Sequence, residues 1–321
     1  VFATFHDHET WGKMILESGE TEIGIAIREV LGPQRTKRLF ALFAGESESD
    51  GEPIAPFLKE IVSSQLDVDR MDYMIRDQAN TGAQIGGFDS ARVIRALRVD
   101  DDGRLYAKSW GLPAIEAYLV TRYHLYNQVY FHKVNQLTQE YLVGALSRAR
   151  ELAVSGDLTL SDSLEKMLIS TSLAVTDYVR LTDADINSSL QNWADHDDKI
   201  LSGFASKLVS RRNYHKSIRI GKLNQKMCEV VIPKLIPILE ENGYSRADLI
   251  TASIKEKGYK PYSQGIMLED GRDVVEHSPL IRSLVQSTEQ ALIFIPEDVR
   301  DRCEAVAREV IRPSQSSLAS F

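Results

Sequence analysis

The residues with the clearest chemical potential lie in the segment Gln65–Asp77, which reads QLDVDRMDYMIRD. On a helix of about 3.6 residues per turn, Asp69, Tyr73 and Asp77 follow one another at intervals of four residues and share one face. That face presents a carboxylate, a phenol and a second carboxylate, and the guanidinium of Arg70 lies beside it, about 100° round the helix.

Two readings of this segment remain open from spacing alone. Charged helices of this kind are usually solvated and carry salt bridges on their surface. Against that reading, the segment also contains apolar residues that give the helix a packed side: Met71, Met74 and Ile75. The acidic stripe could therefore border a buried cleft.

A second candidate segment is Thr121–Lys133, TRYHLYNQVYFHK. Arg122, Tyr126, Tyr130 and Lys133 follow one another at intervals of four, four and three residues, and a histidine precedes the lysine. Arginine and lysine donate charge-assisted hydrogen bonds to phosphate, and a tyrosine ring can abut a sugar or a base. The alternative is an aromatic stripe packed in a core, with the arginine reaching out to solvent.

A third candidate is the run His6-Asp7-His8-Glu9, which Trp11 follows. Two histidines that are two residues apart do not share a helix face. They could still converge on an irregular segment that leads into a helix, and an exposed surface segment is the alternative.

The elements that must position these residues are predicted to be mainly helical. Apolar residues recur at spacings of three and four in four early segments: Trp11–Leu16, Ile23–Leu31, Leu39–Phe43 and Ile54–Leu66. Gly82 is expected to cap the helix that holds Asp69, and Asp89 to cap the next helix. Arg98–Lys108 is predicted to form a hairpin, and one long helix is predicted from about Pro113 to Leu152.

Helices continue beyond the long one, and the last third of the chain has a more mixed pattern. Helices are expected over residues 160–170, 183–192, 196–209, 222–241 and 298–311, and strands over residues 214–220, 249–253 and 291–295. The predicted fold class is thus mainly α: a helical core with a small hairpin, followed by a C-terminal helical and α+β region. We divide the chain into residues 1–150, 151–212 and 213–321.

Composition excludes several classes of protein. The 321 residues include 38 Lys+Arg and 46 Asp+Glu, giving a formal net charge of −8, which argues against non-specific coating of nucleic acid. No apolar run approaches the roughly 18 residues that span a bilayer, so no membrane partner is expected. Cys228 and Cys303 are too far apart for a zinc finger and too few for a disulfide scaffold, which favours a cytoplasmic location.

One locally basic stretch stands out in this acidic chain. Its residues are Lys207, Arg211, Arg212, Lys216, Arg219, Lys222 and Lys226. It could bind an anion, either an activating nucleotide or a nucleic-acid strand, and a plain basic surface is the alternative.

Together, the three candidate segments resemble the HD-domain phosphohydrolases, specifically the dNTP triphosphohydrolases related to the human sterile-alpha-motif and HD-domain enzyme. The matching motifs are HETWGKMIL (8–16), DVDRMDYMIRD (67–77) with the following TG and FD (88–89), and R-x7-Y-x-HK (122–133). They occur in family order and cover roughly residues 1–150. The resemblance implies an HD-domain helical core and metal-dependent hydrolysis of a dNTP to a deoxynucleoside and triphosphate.

The resemblance also implies roles for individual residues. Asp69 matches a ligand of a divalent metal ion (Mn, Mg, Fe or Zn), and His8 matches an active-site histidine near the phosphates. Arg70 stands where the human enzyme has a phosphate-binding lysine. Tyr73 and Asp77 match residues that hold the deoxyribose, Asp77 through the 3′-hydroxyl.

Further matches lie in the third motif and around it. Arg122 matches a triphosphate contact, and Tyr130 matches a tyrosine that crowds the sugar 2′ position and disfavours ribose. His132 matches a substrate-binding histidine, and Phe131 replaces a family glutamine beside it. The resemblance implies an activator phosphate site at Arg92, Lys108 and Lys133, with dNTPs as activator as well as substrate. It also implies a homo-oligomer, either a dimer or a tetramer.

The chain departs from the family in its metal ligands. The family's first histidine and its His-Asp pair lie upstream of the position that matches Val1, so Asp69 is the one ligand of four that this sequence contains. We expect that the sequence lacks its N-terminal part. Two alternatives remain: an HD phosphohydrolase for another nucleotide, and a non-catalytic nucleotide-binding regulatory subunit.

Overall fold

The computed structural model describes residues 6–316, apart from residues 222, 257–258, 263–264 and 286–287. Lys222 of the basic stretch therefore lies outside the described residues. The N-terminal elements are α1 (His8–Glu17), α2 (Glu22–Phe43), β1 (Glu48–Ser49), β2 (Glu52–Pro53), α3 (Pro56–Val62), α4 (Val68–Thr81), α5 (Ser90–Ala96), β3 (Leu97–Val99), β4 (Leu105–Ala107) and α6 (Leu112–Leu125).

A π-helical turn, Tyr126–Tyr130, follows α6. Beyond it lie α7 (Lys133–Ser155), α8 (Asp162–Leu168), α9 (Val175–Tyr178), α10 (Asp183–Trp193) and α11 (Lys199–Ser210). The C-terminal elements are β5 (Lys216–Ser217), α12 (Gln225–Glu241), β6 (Ile250–Glu256), α13 (Val274–His277), α14 (Pro279–Ser283), β7 (Thr288–Ile295) and α15 (Arg300–Ser316).

Helices dominate the fold, which confirms the mainly α class. The hairpin is confirmed as β3 paired with β4, with Leu97 opposite Ala107. In the C-terminal region, β7 lies between β5 and β6 in a small antiparallel sheet, and Ile250 is opposite Phe294. Among the described residues, no helix is both long and apolar enough to cross a membrane.

Local sequence signals explain several boundaries. The Asp67 side chain accepts a hydrogen bond from the Arg70 amide at 2.8 Å and caps α4, and the Asp89 side chain caps α5 in the same way. Gly82 ends α4 with φ of 68°, in the left-handed region where a side chain would add strain. The expected caps at Gly82 and Asp89 are thus confirmed.

The single long helix expected from Pro113 to Leu152 is wrong. The π-helical turn ends α6, and His132 has extended backbone angles at the start of α7. The amide of Phe131 donates to the carbonyl of Tyr126 at 2.7 Å, which is the wider spacing of a π-turn. Apolar periodicity did not reveal this break, because apolar residues continue through it at helical spacing and no glycine or proline marks it.

The first hydrophobic core is built on α4, α5 and α6. Met74, Val93 and Tyr118 contribute fully buried side chains to it. Residues 259–285 also enter this core, through Tyr259, Ile266, Leu268, Val274, Val275 and Ile281. The chain returns from its C-terminal region to support the elements that hold the acidic stripe, and our division into three domains stays a prediction.

Asp273 fixes the returning segment in place. Its carboxylate is fully buried and accepts hydrogen bonds from the Tyr259 hydroxyl at 2.9 Å, the Tyr262 amide at 2.7 Å and the Val275 amide at 2.9 Å. A buried carboxylate is tolerated when donors satisfy it in this way.

A second junction joins α7 to the C-terminal sheet. His215 is buried, and the Tyr141 hydroxyl lies 2.6 Å from its Nδ1 atom and accepts a hydrogen bond from its amide at 2.8 Å. Burial lowers the pKa of His215 to about 4, and the nearby charge of Lys207 adds to this effect. His215 is therefore neutral in the folded protein near pH 7.

This shift predicts an acid-sensitive junction. Because the pKa of His215 is lower in the folded than in the unfolded chain, the unfolded state binds more protons between about pH 6.5 and pH 4. Its contribution to stability is fully present above pH 6.5 and is lost as the pH falls towards 4. Urea unfolding measures the free energy of unfolding at pH 7 and at pH 4.5. We expect this free energy to fall between the two pH values by about 2 to 3 kcal/mol more in the wild type than in a His215→Asn variant. Equal losses in both proteins would contradict this assignment.

Candidate nucleotide site

Helix α4 is the platform of the candidate site. Met71 and Met74 are buried on its core side, and the predicted stripe of Asp69, Tyr73 and Asp77 occupies another face. Tyr73 and Asp77 are partly buried, whereas Asp69 is exposed in the first turn. The stripe thus lies on a helix whose packed side is formed by Met71 and Met74, as predicted, whereas Ile75 is exposed.

Helix α6 and the π-helical turn bring a second set of side chains to this platform. The Tyr130 hydroxyl donates a 2.5 Å hydrogen bond to Asp77 Oδ2, and the hydroxyls of Tyr73 and Tyr126 lie 3.2 Å apart. The Tyr126 and Tyr130 rings meet edge to face with centroids 4.9 Å apart. The guanidinium of Arg122 lies 5.8 Å from the centroid of the Tyr126 ring.

Two tyrosines of this cluster, Tyr73 and Tyr130, are neutral. Burial raises the pKa of Tyr73, and its hydrogen bond with Tyr126 adds to the rise. Burial also raises the pKa of Tyr130, and the neighbouring Asp77 carboxylate adds to it. These phenols therefore act as hydrogen-bond donors and as packing surfaces, and not as bases.

The two arginines of the cluster have different partners. Arg70 pairs with the buried carboxylate of Asp67 and donates to the Ser64 carbonyl at 2.6 Å. Arg122 donates to the side-chain oxygen of Gln65 at 2.8 Å. The predicted phosphate contacts, Arg70 and Arg122, are thus both held by the loop that precedes α4.

The described residues do not form a metal centre. Asp69 is the candidate ligand, and within the described ranges no group of three His, Cys, Asp or Glu side chains could hold a metal ion. His8 belongs to α1, whose Trp11 stacks on Tyr178 of α9 with centroids 4.1 Å apart. The roles of Asp69 and His8 therefore stay predictions.

His132 occupies a structural position next to the cluster. It is exposed, and its Nδ1 atom accepts a hydrogen bond from the Val134 amide at 3.3 Å, which caps α7. His132 is therefore a helix cap in the structure, and its predicted contact with substrate stays a prediction.

The three predicted activator residues have separate surroundings. Arg92 is exposed and its guanidinium lies 5.7 Å from the centroid of the Trp110 ring. Lys108 forms a 2.8 Å ion pair with Glu269, which lowers the pKa of Glu269 to about 2. Lys133 is exposed at the start of α7. Their joint role stays a prediction.

Sequence reasoning missed the roles of two residues that organise the cluster, Gln65 and Asp67. It did place Tyr126 on the stripe between Arg122 and Tyr130, but it gave that residue no role of its own. Asp67 also gave a signal, since an aspartate just before a helix is a typical cap. Gln65 gave none, because its partner lies 57 residues away in the chain.

Two aspartates at the start of α4, the cap Asp67 and Asp69 in the first turn, are expected to differ in how much they contribute to stability. Asp67→Ala removes the helix cap and leaves Arg70 without its buried partner, and we expect a loss of about 3 kcal/mol in the free energy of unfolding. The matched control is Asp69→Ala, which removes an exposed side chain and changes stability by about 0.5 kcal/mol or less. Chemical denaturation measures both, and equal losses would refute the structural assignment of Asp67.

Comparison with known proteins identifies an HD-associated family. A family model described as "HD associated region" matches residues 88–317. The uncharacterized protein YwfO of Bacillus subtilis is 33% identical over 215 residues, covering 65% of this chain and 46% of that protein. An uncharacterized protein of Mycoplasma genitalium is 29% identical over 153 residues, covering 44% of this chain and 36% of that protein. The chain thus spans less than half the length of these relatives.

Solved structures share the fold. A crystal structure called a phosphohydrolase, from Bacteroides thetaiotaomicron, matches with a TM-score of 0.67 and 26% identity, covering 92% of this chain and 77% of that one. A hypothetical protein from Aquifex aeolicus matches with a TM-score of 0.69 and 24% identity, covering 95% of this chain and 73% of that one. Because its identity is low, the second match shows the fold alone. The family match covers most of the chain, and the protein therefore belongs to the HD-associated region family.

Proposed function

We propose that this chain carries the sugar- and phosphate-binding part of an HD-domain phosphohydrolase that hydrolyses dNTPs to deoxynucleosides and triphosphate. One observation carries this proposal: Tyr130 is hydrogen-bonded to Asp77 beside Tyr73, and Arg122 lies two helical turns before Tyr130 in the chain. The family match and the phosphohydrolase of similar fold support the general class of reaction.

The sugar would bind at the Tyr130–Asp77 pair. An ionised carboxylate has about four lone-pair sites, so Asp77 can accept a 3′-hydroxyl while it accepts from Tyr130. The same hydrogen bond fixes the Tyr130 ring, which would crowd a 2′-hydroxyl and disfavour ribose. The neutral Tyr73 phenol would close the other side of the sugar.

The phosphates would extend towards Arg122. In the proposed reaction, water adds to the α-phosphorus, the bond from phosphorus to O5′ breaks, and O5′ takes a proton to leave as the deoxynucleoside. Negative charge develops on the phosphoryl oxygens in this step, and a fixed guanidinium stabilises it. A divalent metal ion would need ligands from outside the described residues in addition to Asp69, and we assign no step to it.

An assay of the full-length protein tests this function. We expect each turnover of a dNTP to release one deoxynucleoside and one triphosphate, with ribonucleotides turned over at least tenfold more slowly. We expect Asp69→Ala to abolish turnover while leaving the fold intact. Chromatography of the products measures both, and undiminished hydrolysis by the variant, or equal turnover of ribonucleotides, would refute the proposal.

Tyr130 offers a test of sugar recognition. Tyr130→Ala removes the ring, and we expect the ratio of kcat/KM for a dNTP to that for the matching NTP to fall about tenfold. Tyr130→Phe is the matched comparison: it keeps the ring but loses the hydrogen bond to Asp77 that fixes it, so we expect a smaller loss of selectivity than in the alanine variant. Selectivity that survives in the alanine variant would show that another residue excludes ribose.

A further inference from the structure

Gln65 is attached to α6 at two points. Its side chain is buried, its Oε1 atom accepts a hydrogen bond from Arg122 at 2.8 Å, and its backbone carbonyl accepts one from the Tyr118 hydroxyl at 2.8 Å. Tyr118 and Arg122 are four residues apart and so lie on one face of α6. Residue 65 is therefore fixed against the helix, and the guanidinium of Arg122 is fixed with it.

The contact with Gln65 holds Arg122 without pairing its positive charge with a negative one. Arg70 is neutralised by the carboxylate of Asp67, but Arg122 meets the neutral amide of Gln65, and the described residues give it no ion pair. The positive charge of Arg122 also opposes the rise in the pKa of Tyr73 and of Tyr118. An uncompensated guanidinium thus faces the tyrosine cluster, where an anion would be attracted.

We propose that Gln65 is a positioning residue that holds Arg122 beside the tyrosine cluster and leaves its charge available to the phosphates of the nucleotide. This inference rests on the proposed function. It makes Arg122 the principal phosphate contact of this chain, with Arg70 held in a structural pair by Asp67.

Two substitutions at one position separate charge from packing. Gln65→Glu keeps the shape but places a carboxylate against Arg122, and Gln65→Met keeps the bulk but removes the acceptor. With inorganic tripolyphosphate as the probe and the full-length protein, we expect calorimetry to show binding about a hundredfold weaker for the glutamate variant. We expect about tenfold weaker binding for the methionine variant.

A double-mutant cycle tests whether Gln65 acts on phosphate binding through Arg122. In an Arg122→Gln background, neither change at Gln65 should weaken tripolyphosphate binding further, because the group that it positions is gone. Wild-type affinity in the glutamate variant, or losses that add fully to that of Arg122→Gln, would overturn the inference. The inference would also be overturned if the loss of tripolyphosphate affinity in each variant were explained by its lower melting temperature alone.

A ligand-free measurement separates this inference from the function on which it rests. Phenylglyoxal modifies accessible guanidinium groups, and we expect peptide mass spectrometry to show Arg122 modified several-fold faster in Gln65→Met than in the wild type. An unchanged rate of Arg122 modification would show that Gln65 does not restrain Arg122. If the wild type bound no tripolyphosphate while this rate still rose, the hold would stand and the phosphate role of Arg122, with the proposed function, would fail.

Discussion

The π-helical turn between α6 and α7 is the constraint on which the rest of the structure depends. Helix α6 packs in the first core, and α7 packs against the C-terminal sheet and the helices that follow it. The turn joins these packed regions and changes the direction of the side chains at the junction. It also places Tyr126 and Tyr130 against α4, so the site and the connection between cores share one irregular element.

The two arginines differ in their partners, because one is paired with a charged group and the other with a neutral group. The loop before α4 supplies a buried carboxylate to Arg70 and a neutral amide to Arg122. A paired charge stabilises the start of α4, and an unpaired charge is left where an anionic ligand would bind. Burial raises the pKa of Tyr73 and of Tyr130, and in the proposed site this partly buried setting would strengthen the attraction between Arg122 and a phosphate.

Local rules were enough to predict α4, because its cap, its polar stripe and its final glycine all lie within 16 residues. They also gave the β3–β4 hairpin from its turn sequence. They could not give the π-turn, whose residues are compatible with an ordinary helix, or the contact of Gln65 with Arg122, which requires the packed fold. The return of residues 259–285 to the first core is likewise a long-range event that no local pattern specifies.

A crystal structure of the full-length protein with a non-hydrolysable dNTP analogue would show directly whether a nucleotide binds between α4 and the π-helical turn. We expect the 3′-hydroxyl on Asp77, the sugar against the Tyr130 ring and a phosphate oxygen within hydrogen-bond distance of Arg122, with Gln65 still bound to that arginine. A nucleotide bound elsewhere, or one that leaves Asp77 and Arg122 without contact, would contradict this expectation.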